Sequence, residues 1–598
     1  LKTYILDIEG NDLLRNVTTI HCAVATNVAD PTDILVAQPG EVEYLIEYLI
    51  VTEATVVGHN MIGYDAPAIL KVLGLEIDRS QIRDTLLIAR LVHPDIGRRD
   101  AEIAKIRHER NQTALMPTRL HGSHSLEAWG YRLGIHKTEY DGGWDTYSDT
   151  MLAYCVDDTL STLALWNHVM SKEPSAESLR LEHEVAWIIE AQTNHGVLFD
   201  VPAAETLLDT LRARRWELDE QLALAFPTEQ YVHKRFTPKV NNKTRGYVKG
   251  VETVVYKQRE FNPASRDQIA ARLAAKYGWV PKAQTDTGKP KVDETVLAAL
   301  VYPEAELLAE RMLIGKRLGQ LAEGRQAWLK CVDDETSRIH GRLNTNGAVT
   351  GRMTHYSPNM SQVPAVRSKY GTQMRALFTV PKGYKIVGCD ASGLELRMLA
   401  HYLTIHDGGA YAAEVLEGDV HSHNQRAAGL PTRDAAKTFI YAFLYGAGDA
   451  KIGSIVGAGA KEGRALKLRF LKELPALRAL RDGVSEAAAT RGYLRGLDGR
   501  RVPIRSPHAA LNTLLQSAGA IVMKQALVLA AREIETSGLD AKFILNSHDE
   551  MQLEVRESDV ETVGALVRRS IVDAGEHFNL RIPLDGEAKT GNTWAETH

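Results

Sequence analysis

The sequence predicts a mixed α/β protein divided into several domains, and three observations carry this expectation. At 598 residues the chain is too long for a single hydrophobic core. Short apolar runs that end in carboxylates, at 3–9, 386–390 and 543–550, read as strands. Long amphipathic stretches, roughly 177 to 226 and 302 to 330, read as helices.

Composition is that of an ordinary soluble globular protein. The formal net charge of -5 does not advertise nucleic-acid binding, but it sums basic tracks with clustered carboxylates, so local patches matter more than the total. The four cysteines, Cys22, Cys155, Cys331 and Cys389, have no metal-ligand spacing and fit a reducing compartment. Charged residues interrupt the long apolar runs, so neither a signal peptide nor a membrane span is expected.

The first strand, Thr3 to Glu9, places Asp7 and Glu9 on one face because strand side chains alternate. Two such acids can share metal ions, although a polar strand edge produces the same pattern. A second apolar run enters the turn Gly58 to Tyr64 and ends in Asp65. The charged run from Arg98 to Arg110 reads as a solvated helix. Tyr154 and Asp158 stand one helical turn apart, so a phenol and a carboxylate can meet at one point. The helical pattern breaks at Ser171 to Ser175, which is read as a domain boundary.

Further on, Ile386 to Cys389 leads into Asp390, then a small-residue bend and a helical pattern. An Asp at such a junction either caps the helix or holds a metal. From Arg433 to Tyr445, the residues Arg433, Lys437, Tyr441 and Tyr445 recur every fourth position and share one helical stripe. Cations at one end and rings at the other match a nucleoside triphosphate. A last hairpin, Phe543 to Val555, is expected to carry Asp549 and Glu550 at its turn, as an exposed turn or as a metal site.

These residues carry a resemblance. Asp390 to Arg397, Arg433 to Gly446 and His548 to Glu550 resemble, in the same order, the three polymerase motifs of family A (DNA polymerase I type), closest to its phage replicative members. Asp7, Glu9, Asp65, Tyr154 and Asp158 resemble the exonuclease motifs of proofreading polymerases, and Gly122 to Gly134 also matches phage members.

The resemblance implies an RNase H-like 3′–5′ exonuclease domain over 1–175, then a right-hand polymerase: thumb 176–345, palm 346–420 and 486–598, fingers 421–485. It implies a DNA-directed DNA polymerase with 3′–5′ exonuclease activity. A nuclease or DNA-binding scaffold with an inactive polymerase fold is the alternative; that reading predicts missing motif carboxylates, and all are present.

By the same resemblance, two Mg²⁺, which Mn²⁺ can replace, sit on Asp390, Asp549 and the Ala391 carbonyl, with Glu550 in support. Two more sit on Asp7, Glu9, Asp65 and Asp158, with Tyr154 orienting the attacking water. Glu395, His421, Arg433, Lys437, Tyr441 and Tyr445 face the incoming nucleotide. Arg352, Asn512, Gln516 and His548 face primer and template. The implied partners are primer-template DNA, deoxynucleoside triphosphates and a helicase-primase, in the cytoplasm of a bacterial host or an equivalent reducing compartment, with no membrane and a monomeric chain.

Phage members of the family carry a longer thumb insertion that recruits thioredoxin. Here the segment from Thr228 to Glu260 is short, which makes thioredoxin a doubtful partner. It is rich in Lys and Arg with interleaved Tyr and Phe. Lys239, Lys243 and Arg245 are therefore candidate phosphate contacts, against the alternative of a solvated hairpin that touches nothing.

Overall fold

The computed structural model of the chain describes residues 2–135, 140–281, 283–285 and 287–598. It is mixed α/β, as the sequence predicts. Contacts divide it into two units, one of Leu1–Val197, His340–Val363 and Thr379–His598, the other of Leu198–Ile339 and Pro364–Phe378.

In the first unit, strand Thr3–Gly10 is the middle of a five-stranded sheet. Ile20–Asn27 and then Ile34–Ala37 lie antiparallel on one side, and Thr55–Gly58 and Ile82–Asp84 lie parallel on the other. Along the central strand only Thr3 and Asp7 keep partial solvent contact. Both faces are covered, and the run Tyr4-Ile5-Leu6 is accordingly apolar without alternation. Helix Asp149–Met170, capped by the Ser148 hydroxyl on Met151 N–H (3.1 Å), packs across this strand and its antiparallel neighbour. The charged run forms helix Ile96–Glu109, fully buried only at Ile96 and Asp100.

A second sheet in the same unit is wholly antiparallel, in the order Ala541–Ser547, Glu550–Arg556, Tyr384–Ala391, Gly586–Gly591. Gly388 lies against the Gln552 side chain, which occupies the space a Cβ would take. The register sets Asp390 opposite Glu550. The hairpin differs from expectation at one residue. Its turn is His548-Asp549, with His548 at φ +59°, while Glu550 is already the first, buried residue of the returning strand. Alternation then turns Glu550 to the same face as Gln552 rather than out to solvent.

Helix Ala510–Thr536 runs through the core beside these strands. By length and composition this segment could cross a membrane, contrary to the expectation that charges interrupt every apolar run. Of its most apolar window, 83% is buried inside the protein, which marks a core helix. Helix Arg433–Leu444 buries Ala436, Phe439, Ile440 and Leu444, so Arg433 and Lys437 are left on its outer face with Tyr441 half-buried.

The stretch read as one amphipathic helix from 177 to 226 is two. Gly196 at φ +67° ends helix Ala176–His195, and Asp200 caps Val201–Ala225 through Ala203 N–H (3.0 Å). The first helix, expected to open the thumb, belongs to the first unit. Its Leu181, Val185 and Ile189 share a core with Val387, Leu394 and Ile521. Its Glu182 is buried between Lys524 Nζ (2.5 Å) and Arg500 Nη1 (2.7 Å), and Arg500 also pairs with Asp498 (2.5 Å).

In the second unit, helices Val201–Ala225 and Pro303–Leu318 are joined by Arg214–Glu310 (3.0 Å) and Arg311–Asp219 (2.5 Å). A small core around Leu222, Phe226, Ile269 and Trp279 lies at one end. An antiparallel hairpin, Glu229–Phe236 with Thr253–Arg259, leaves that end and buries almost nothing.

Candidate active sites

The first candidate site lies at the end of the five-stranded sheet. Strand Thr3–Gly10 supplies Asp7 and Glu9, and their carboxylates lie with the Cys155 thiol inside a cluster whose ligand atoms are all within 4.8 Å of one another. Asp65 is the first residue of helix Asp65–Leu73, positioned by a turn in which Asn60 adopts φ +67°. Buried Asp84 holds that turn by accepting hydrogen bonds from Asn60 N–H (3.0 Å) and Ile62 N–H (3.2 Å). Helix Asp149–Met170 turns Asp158 inward, buried, while Asp157 is half-exposed.

Electrostatics show that these four acids converge. Burial, then Glu9, Asp65 and Asp158, push the Asp7 carboxyl well above the usual range. Burial, with Asp84 and Asp158 adding to it, raises Asp65 to about 7. Tyr154 on the same helix has ring neighbours that sequence reasoning missed: Tyr140 at 5.6 Å and Trp144 at 6.1 Å. Trp144 is partly exposed, and the three rings form an aromatic wall at the helix start. No spacing marks Tyr140 and Trp144, because they come from a loop outside any periodic element.

The second candidate site lies at the open end of the antiparallel sheet. Asp390 ends its strand with its side chain still in reach of solvent. Ala391 N–H donates to the Asp549 carbonyl (3.0 Å), which ties the two acid-bearing turns together. Burial and then Asp549 and Glu550 raise the Asp390 carboxyl to about 7. Burial and then Glu395 raise Asp549 to about 6. Glu550 behaves differently. Burial alone would raise it, but hydrogen bonds from His598, Trp594 Nε1 (2.7 Å) and Gln552 Nε2 (2.5 Å) hold it below the usual value. It is therefore a fixed buried anion beside the pair.

Around these acids the structure brings several expected residues together. Glu395 Oε1 accepts from the Tyr445 hydroxyl (2.7 Å) and Arg352 Nη2 (3.3 Å). Tyr441 lies nearby: burial, then Glu395 and Asp549, raise its phenol. Arg352 and His548 line one small cavity with Glu550. Asn512 and Gln516 stand one turn apart, half-buried, on helix Ala510–Thr536.

On the outer stripe, Arg433 is not open to a ligand without an exchange. It pairs with Asp419 (2.9 Å), the residue that also caps the helix bearing His421. The His421 ring lies 6.5 Å from that of Tyr441. Lys437 is exposed.

Both clusters suit divalent cations. Among the described residues, none of Asp7, Asp65, Asp390 and Asp549 makes an ion pair with Lys or Arg, and carboxylates repelling one another in a desolvated space are what a cation relieves. The carboxylate oxygens suit hard ions such as Mg²⁺ or Mn²⁺.

An antiparallel sheet carrying paired acids at one end, with a cationic and aromatic helix among the same elements, defines a nucleotidyl-transfer fold. The sequence profile described as DNA polymerase family A matches residues 232–596. This chain belongs to that family. It is 37% identical to the DNA-directed DNA polymerase of Enterobacteria phage T3 over 99% of this chain and 100% of that protein. Identity is also 37%, over the same shares, to the DNA-directed DNA polymerase of Escherichia phage T7. The alignments run to 712 and 711 positions, more than the chain has residues, so both relatives carry insertions absent here. Among solved structures, the POL domain of Pol1 from M. smegmatis, in complex with DNA primer-template and dNTP, superposes with a TM-score of 0.75. It covers 100% of this chain and 96% of that one, and at 19% identity it shows the fold.

Proposed function

We propose that this DNA polymerase extends a DNA primer by template-directed nucleotidyl transfer at Asp390 and Asp549, and removes misplaced 3′ nucleotides hydrolytically at Asp7, Glu9, Asp65 and Asp158. The observation that carries the reading is the pair of desolvated, mutually repelling acid clusters on two different sheets of one unit. Divalent metal ions bound there would supply Lewis acidity, activating the attacking hydroxyl or water and neutralising the leaving oxygen. The chain's own residues do the rest. Lys437, and Arg433 once it exchanges Asp419 for phosphate, hold the triphosphate with His421. Arg352 and His548 place hydrogen-bonding groups by the primer end, with Asn512 and Gln516 on the neighbouring helix. Purine N3 and pyrimidine O2 are acceptors at similar places in every correct pair, so donors there test pair shape rather than sequence. Tyr154, with Tyr140 and Trp144, offers ring faces on which unpaired 3′ bases can stack. Primer extension and single-strand degradation assays, each with its own acid variants, test the reading.

Glu395 is held by Tyr445 and Arg352 where, on this reading, the sugar of the incoming nucleotide rests. Glu395→Ala should open space for a 2′-hydroxyl and raise ribonucleotide incorporation relative to deoxynucleotide by about tenfold or more. Competition between the two triphosphates in single-nucleotide extension reads this ratio, and an unchanged ratio would remove Glu395 from the sugar site.

The acid clusters also set a pH dependence. The folded pKa values of Asp65, Asp390 and Asp549 lie above the ordinary carboxylate value. Between about pH 4 and 7 the native metal-free chain therefore holds protons that the unfolded chain has released, and these groups make stability fall as pH rises. Added Mg²⁺ should raise the melting temperature by more at pH 7.5 than at pH 5.5, as followed by scanning calorimetry. Equal shifts at the two pH values would count against metal binding at these acids.

In the hairpin of the second unit, Arg259 and Arg235 are paired with Glu229 and Glu252, at 2.5 and 3.5 Å. Lys239, Lys243 and Arg245 make no ion pair among the described residues. The hairpin also exposes Val240, Val248 and Tyr256. These three cations are proposed to hold duplex phosphates, giving processivity without thioredoxin. Each neutralised residue should lower the log-log salt slope of duplex binding by about one unit. A slope unchanged in the triple alanine variant, or strong stimulation of processivity by thioredoxin, would refute this role.

A further inference from the structure

The first unit holds a cavity of about 530 Å³ lined by no residue of either acid cluster. Small-molecule sites run from about 300 to 1,000 Å³, so this one is of ligand size. Three elements wall it: the segment leading into strand Ile82–Asp84, helix Ala176–His195, and the second half of helix Ala510–Thr536. One side is apolar, formed by Leu179, Ile188, Val528 and the Trp187 indole.

The charged lining is Arg79, Arg83, Arg180 and Arg532, with Glu184 and Glu535. Arg180 and Arg532 share the Glu184 carboxylate at 2.8 and 2.7 Å, and so are already balanced by an acid. Arg79 and Arg83 are not; neither makes an ion pair among the described residues. Arg83 turns its Nη1 to the neutral carbonyls of Ser80 and Ile82, at 2.8 and 2.7 Å. The exposed Arg79 guanidinium lies over the Trp187 ring, 5.4 Å from its centroid. Two uncompensated guanidinium groups therefore stand beside an aromatic face and an apolar wall.

We propose that this cavity binds a nucleoside monophosphate. The base would take the Trp187 face, and the phosphate monoester, whose charge at neutral pH approaches two, would lie between Arg79 and Arg83. Arg79 is a long surface side chain, so it can swing from the ring to the phosphate and leave the ring to the base. A planar base without phosphate would leave both charges unmatched, and a phosphate without a base would leave the apolar wall in water. The proposed proofreading reaction releases ligands of this class, but binding here needs neither acid cluster.

Isothermal titration of the full chain with 2′-deoxyadenosine 5′-monophosphate, in EDTA, should show one saturable site. The Asp7→Ala, Asp390→Asn double variant should keep it, which separates this cavity from both proposed active sites. Arg79→Ala and Arg83→Ala should each weaken binding by about tenfold or more, and Arg79→Ala, a surface change, should do so with an unchanged melting temperature. Trp187→Leu should weaken it further. Deoxyadenosine and inorganic phosphate should each bind at least about tenfold more weakly than the nucleotide. The proposal is overturned by an absence of binding at millimolar nucleotide, by binding that survives both arginine variants, or by phosphate binding as tightly as the nucleotide.

Discussion

Asp390→Asn should lower primer extension by about a thousandfold or more, equivalent to roughly 4 kcal/mol of transition-state stabilisation, while single-strand degradation continues at its normal rate. The argument is electrostatic. Asp390 and Asp549 are pushed up to about 7 and 6 by burial and by nearby acids, Asp549 and Glu550 for the first and Glu395 and Glu550 for the second. The amide of Asn keeps the shape and removes one negative charge from the donor set. It also removes a repulsion, so the metal-free variant should melt no lower than the parent. Loss of activity with gain or retention of stability is a combination that misfolding does not produce. Asp549→Asn should behave alike. Glu550→Gln should not, because Glu550 is already fixed by Trp594 and Gln552, and its loss should cost packing as well as rate. Extension at saturating triphosphate, followed beside a melting curve, separates these cases.

Asp7→Ala combined with Glu9→Ala should abolish degradation of single-stranded DNA, again by about a thousandfold or more, and leave primer extension within about twofold of the parent. The two acids sit on a strand of the five-stranded sheet, whereas Asp390 and Asp549 belong to the antiparallel sheet. Neither pair is among the charges that shift the other's carboxyls. Loss of both activities in a variant that keeps its melting temperature would mean the two clusters serve one reaction. Because Asp7 and Glu9 raise each other's energy, the double variant should be easier to fold than its size of change suggests.

The acids of both clusters were legible in the sequence because strands announce their ends. An apolar run that stops at a carboxylate has few places to put it: Asp390 is the last residue but one of its strand and Asp549 lies in the turn after its own, while Asp7 sits within strand Thr3–Gly10 and Asp65 opens a helix. The stripe Arg433, Lys437, Tyr441 was legible for the same kind of reason, since period 3.6 fixes which side chains share a face. The break at Gly196 was missed, because the apolar rhythm continues across it and hides a glycine stop followed by an Asp-Val-Pro start. Glu182, Arg500 and Lys524 were not legible. Glu182 lies hundreds of residues before Arg500 and Lys524, and a buried ion pair leaves no periodic trace on either partner's element. Tyr140 and Trp144 were hidden by their loop; Glu550 itself was read, but its burial was missed by a difference of one residue in where the hairpin turns.

The burial of Glu182 between Lys524 and Arg500 bears on how such a protein can be taken apart. Removing one member of a buried ion cluster commonly costs about 3–5 kcal/mol, because the remaining charges stay behind without a counterpart. Helix Ala176–His195 carries Glu182 on the same flank as Leu181, Val185 and Ile189, all inside the core that also covers helix Ala510–Thr536. A cut before residue 176 would leave that helix with the antiparallel sheet and helix Ala510–Thr536, and a cut after 197 would strip it away with the five-stranded sheet. The second choice would uncover one of the most apolar helices in the chain, leave Lys524 without its carboxylate and leave Arg500 with Asp498 alone. In the language of gene fusion and domain exchange, a cut at about residue 175 keeps Glu182 and its helix with Arg500, Lys524 and the core they share.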